Sequence, residues 1–215
     1  MFFQKEPKSL RIIILIIAAC LVAGAALLVY SGKKPQPPKE EKIPAGIEVI
    51  ETETGKIVRN KAEGYEVTVP KEWEVKKPTQ RDEKIVVQKM GVQQPSTDTD
   101  LVDGVKLQIF IQDNPDNLSI EEWSKKYWAY SPEELGKLEH INIGSIDIIK
   151  VVEKNLYSND SPWAGLVDYS LHLTFTKDKK YYDFYCVAVG SKSNSEIYIQ
   201  NCEKIIIENI KKTFL

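Results

Sequence analysis

Histidine is nearly missing from this chain. Two occur in 215 residues, beside three cysteines, and the two types are nowhere clustered at metal-ligand spacing. A Cys/His zinc site is thereby excluded. No glycine-rich phosphate loop and no Gly-x-Ser-x-Gly elbow occurs, so P-loop and serine-hydrolase chemistry have no seat. An excess of positive charge is absent too: 29 Lys and Arg face 31 Asp and Glu, for a net charge of -2. Nucleic acid, which calls for a basic face, is not an expected partner. Long apolar runs are absent from all but one place.

That place is residues 12–30, IIILIIAACLVAGAALLVY, without a charged side chain. At about 1.5 Å of rise per residue, a helix over this stretch comes close to the ~30 Å hydrocarbon core of a bilayer. The composition predicts a transmembrane signal-anchor. Lys5, Lys8 and Arg11 lie in the short tail of residues 1–11 and favour a cytoplasmic N-terminus, against Lys33, Lys34 and Lys39 on the far side. Two other readings stay open. The run Ile17, Ala18, Ala19, Cys20 resembles a bacterial lipobox, which would make Cys20 a lipidation site, and cleavage after residues 23–25 would release the domain. All three place the C-terminal body outside the cytoplasm. Residues 31–45, SGKKPQPPKEEKIPA, bury too little apolar surface to fold and read as a semi-stiff spacer.

Residues 46–215 fit one domain. Alternation of apolar and polar residues predicts strands over 47–52, 64–70, 85–89, 105–112, 139–143, 146–153, 166–176 and 181–189. Ser119 and Glu122 stand at capping-box spacing before a helix whose stripe is Ile120, Trp123, Tyr127 and Tyr130. Ser193 and Glu196 repeat the spacing before a C-terminal helix with the stripe Ile199, Cys202, Ile206, Ile210 and Phe214. The class is α+β, an antiparallel sheet covered by helices.

The stretch Gly64-Tyr65-Glu66-Val67-Thr68-Val69-Pro70-Lys71-Glu72-Trp73 resembles the PsbP-like family, with echoes at residues 143–145 and 181–184. The resemblance implies a sheet with helices on both sides, in proteins that act as non-enzymatic assembly or binding subunits. The family's photosynthetic and nuclear roles are not carried over, because the apolar stretch and spacer look like those of a bacterial envelope protein.

Four sets of residues are candidates for function. Asp98, Asp100 and Asp103 precede Gly104 in an oxygen-rich loop, but the spacing departs from an EF-hand and a solvated loop is the preferred reading. Trp128 lies off the helical stripe and is the candidate ligand surface. His172 alternates against Tyr169, Leu171, Leu173 and Phe175 and reads as a solvent-side strand residue rather than a base. Cys186 shares a strand face with Tyr182, Phe184 and Ala188, and Cys202 sits on the buried stripe of the last helix. In an oxidising compartment the pair is expected to form a disulfide; in a reducing one it is two buried thiols.

No catalytic residue, metal or cofactor is assigned. The expected function is a membrane-anchored, extracytoplasmic binding or assembly domain for a protein or envelope component. The alternatives are an envelope hydrolase, which needs ionisable groups gathered in one cleft, and a lipoprotein that senses a metal or ligand.

Overall fold

The computed structural model describes residues 45–94, 101–128, 138–157 and 163–215. The segment 12–30, the spacer and Cys20 lie outside them, and no helix among the described residues is long and apolar enough to cross a membrane.

Strands β1 (Ile47–Glu51), β2 (Gly55–Asn60) and β3 (Tyr65–Pro70) form an antiparallel meander. The alternation of Tyr65, Val67 and Val69 against Glu66 and Thr68 gives β3 one buried face. Strand β2 is not apparent from the sequence. It starts at a glycine, ends at an asparagine and buries Val58 as its one large side chain.

The remaining strands build a second sheet: β4 (Glu74–Lys76), β5 (Glu83–Met90), β6 (Gly104–Asp113), β7 (Glu139–Ile143), β8 (Ile146–Leu156), β9 (Val167–Lys177) and β10 (Lys180–Gly190). Their spatial order is β4-β5-β6-β10-β9-β8-β7, every pair antiparallel. The β9–β10 hairpin turns at Asp178 and Lys179, both at positive φ, as a two-residue hairpin loop requires. The expected single sheet is therefore two. Strand β4, with three residues, is too short for its alternation to register in the sequence.

Helix α1 (Ile120–Tyr127) and helix α2 (Lys192–Phe214) pack on opposite faces of the larger sheet. On one face, Leu107 and Ile109 of β6, Leu171 and Phe175 of β9 and Phe184 of β10 meet Ile199, Ile206 and Ile210 of α2 and Val58, Tyr65 and Val67 of the meander. The expected stripe of α2 is the buried one, with Phe214 partly covered against Tyr65, Phe175 and Tyr182. Its N-cap is Ser191 rather than Ser193, because Gly190 ends β10 directly before it and the Ser191 hydroxyl accepts from the Asn194 amide. Cys186 of β10 and Cys202 of α2 are both fully buried and joined as a disulfide, their Cα atoms 6.6 Å apart.

The meander is fastened to this core by side chains. Asn209 of α2 accepts from the Thr68 amide at 2.7 Å and donates to the Thr68 carbonyl at 2.9 Å, so its amide occupies the free edge of β3 as a neighbouring strand would. At the other end of the meander, Glu63 pairs with Lys84 and Lys180, and Asn60 donates to the Lys84 carbonyl.

Candidate functional site

The face of the larger sheet opposite α2 carries a shorter cover and more polar side chains. Helix α1 sits over part of it. Its start follows the sequence: Ser119 accepts from the Glu122 amide, and the Glu122 carboxylate accepts from the Ser119 amide, which holds that carboxyl below its usual range. Its buried side is Ile120, Trp123 and Ser124. Ser124 donates to the Ile120 carbonyl and is small enough to let the helix lie close to the sheet.

This shifts the stripe from the expected one. Trp123 stacks on Tyr181 of β10 at 4.8 Å, while Tyr127 lies tilted against Trp123 at 4.2 Å and is 53 % exposed. Trp128, the candidate ligand surface, caps the helix and packs edge-on against Tyr181 at 5.8 Å. It belongs to the aromatic packing under α1, with Leu118, Leu138 and Val151. Tyr130 lies outside the described residues.

Beyond α1 the strand register assembles a polar strip. Val151, His172, Tyr185 and Gln108 lie side by side across β8, β9, β10 and β6. The next row contains Thr174, Asp183 and Phe110, and the row on the other side contains Glu153, Ser170, Val187 and Lys106. His172 Nδ1 is 3.1 and 3.2 Å from the two Asp183 carboxylate oxygens, a diagonal cross-strand pair, and its ring stacks on Tyr185 at 4.2 Å. The side chains are 32 % and 14 % exposed for His172 and Asp183. Burial pushes the Tyr185 phenol up, and the carboxylates of Asp168, Asp183 and Glu153 add to the shift.

His172 lies on the expected face, but it is a half-buried, oriented group rather than a plain solvent-side residue. The sequence hides this because Asp183 is on another strand, eleven positions away, and the two meet only once the hairpin register is set. The other histidine, His140, makes the same kind of pair with Asp147 across β7 and β8, at 3.2 Å. Next to Tyr185, the Gln108 amide donates to the buried Glu83 carboxylate, which also accepts from the backbone of Thr79 and Gln80. Both oxygens of that buried side chain have partners.

Asp98 and Asp100 lie outside the described residues. Asp103 is buried, and its carboxylate accepts from the Gln93 amide at 2.8 Å and from the Tyr198 hydroxyl at 3.3 Å. A Cβ at Gly91 would collide with this carboxylate, so the absence of a side chain there lets the β5–β6 connection close over Asp103. Asp103 ties that connection to α2.

No family model matches the chain, and no curated protein matches it. Among solved structures, a protein from Bacteroides thetaiotaomicron is similar at 12 % identity and a TM-score of 0.35, over 62 % of this chain and 42 % of its own length. LpqN of Mycobacterium tuberculosis, described as involved in cell envelope biogenesis, is similar at 11 % identity and a TM-score of 0.40, over 66 % of this chain and 79 % of its own. Likenesses at this level transfer neither residues nor roles. The PsbP-like resemblance rests on the residues that carry it.

Proposed function

We propose that the chain is a membrane-anchored domain outside the cytoplasm that binds a protein or envelope component without catalysing a reaction. The observation that carries the location is the Cys186–Cys202 bond, since structural disulfides persist where thiols are not kept reduced. Residues 12–30 supply the anchor, and Lys5, Lys8 and Arg11 favour retention of the N-terminus inside. Helices on both faces of one sheet fit the PsbP-like expectation of a binding subunit.

The hydrolase alternative draws on the His172–Asp183 couple. Against it, no hydroxyl or thiol among the described residues lies within hydrogen-bond distance of His172 as a nucleophile.

Two measurements on the full chain test the location. Protease added to intact spheroplasts is expected to digest the domain. Thiol counting on denatured, unreduced protein is expected to find Cys20 alone; free thiols at Cys186 and Cys202, or protection of the domain until lysis, overturn the reading. Crosslinking in the native membrane then identifies the partner.

A further inference from the structure

The orientation of His172 fixes the chemistry of the strip around it. The Asp183 carboxylate is an acceptor, so the proton of a neutral imidazole resides on Nδ1 and Nε2 is left as a lone pair. Stacking on Tyr185 holds the ring from a second side, so the direction of that lone pair is set before anything binds. Nε2 has no hydrogen-bond partner among the described residues. The groups around it are mostly acceptors: Asp183 below, Glu153 on the adjacent row, and Asp168 two residues before Ser170 on the same strand face. Lys106 is the one Lys or Arg on these rows across β6, β8, β9 and β10, and Lys76 of β4 lies farther along the His172 row, beyond Gln108 and Val86. The three carboxylates outnumber the two ammoniums, and Lys76 is the more distant of the two along the row, so the strip disfavours an anion and favours a ligand that brings positive charge and hydrogen-bond donors.

We propose that the strip formed by His172, Asp183, Tyr185 and Glu153 binds an organic cation, an ammonium or guanidinium group, with an N–H donated to His172 Nε2. A metal ion is the less fitting occupant, because no three His, Cys, Asp or Glu side chains among the described residues converge on one point. The inference deepens the reading of the domain as a binding module, and its failure would leave the protease and thiol tests above unaffected.

The test uses the full chain in detergent micelles, labelled with nitrogen-15, and reads the imidazole nitrogens. With only two histidines in the chain, His140 is an internal reference, paired to its own aspartate on the same sheet face. Spermidine and an acetylated Arg–Lys dipeptide amide are titrated separately, against sodium chloride at matched ionic strength. A saturable shift of His172 Nε2 is expected with His140 unmoved, and Glu153→Gln, an exposed position, is expected to weaken it at least threefold. Tighter binding of spermidine identifies a free polyamine as the source of the cation; tighter binding of the dipeptide identifies a basic protein segment. No shift, equal movement of both imidazoles, reproduction by sodium chloride alone, or a response to zinc chloride without one to either amine overturns the proposal.

Discussion

Asn209 performs at one position what a strand does along its length. It answers both backbone groups of Thr68 from the side of a helix and donates a third bond to the Ile205 carbonyl, at 4 % exposure. Asn209→Ala would leave an N–H and a C=O at the half-buried edge of β3 without their side-chain partner, each costing about 1–3 kcal/mol where water does not reach them. Urea denaturation is expected to show a loss of about 2–4 kcal/mol with an unchanged slope; a loss within experimental error would mean that water replaces the amide. A second residue reports through its proton. Tyr157 donates to Asp168 at 2.9 Å, and burial together with that carboxylate pushes its phenol up to about 12 from an ordinary 10. A folded-state value raised above the unfolded one means stability that is intact below pH 10 and declines as the pH climbs through 10 to about 12. In an alkaline absorbance titration Tyr157 is expected to ionise late, and Asp168→Asn to bring it back toward its ordinary range; a profile unchanged by that substitution would assign the shift to burial alone.

At the scale of elements, the disulfide joins β10 to the helix after it, closing a loop with a sequence separation of 16. Replacing both cysteines by alanine is expected to cost about 3 kcal/mol by freeing the unfolded chain, read as a lower denaturation midpoint. Helix α1 is held more lightly, by one capping box and the stacking of Trp123, and Ser119→Ala is expected to cost about 1 kcal/mol there, seen as faster amide exchange over residues 120–127 with α2 unchanged. These elements also show what a sequence discloses. Strands β3, β6, β9 and β10 are legible because one face of each is fully apolar and the other more polar, and α2 because its buried stripe keeps helical spacing to its last turn. The parts that are not legible depend on partners. The division into two sheets does not show in the alternation: Asn209 takes the place of a neighbouring strand at Thr68, and Glu63 fastens the meander through Lys84 and Lys180. The buried side of α1 includes Ser124, a polar residue that an apolar stripe leaves out. Likewise, Cys186 and Cys202 are legible as residues facing one layer, whereas the His172–Asp183 couple needs a register that alternation alone does not supply.

Across the whole molecule, order in the sheet sets a gradient of stability. Strand β10 lies between β6 and β9 with α2 on one face, whereas β1 pairs with β2 alone. Hydrogen exchange is expected to be slowest in β10 and β6 and fastest in β1; equal protection of β1 and β10 would show that the meander and the sheet open as one unit. The meander also meets the core at the opposite end of the chain, since Thr68 and Asn209 are 141 positions apart. Synthesis delivers them in that order. Until the last turns of α2 have emerged, the edge of β3 has nothing of its own to hold, and for that interval it offers bare N–H and C=O groups to any extended neighbour. A chain stalled or cut before residue 209 would carry that interval permanently, so the final turns of α2 guard the first sheet against aggregation.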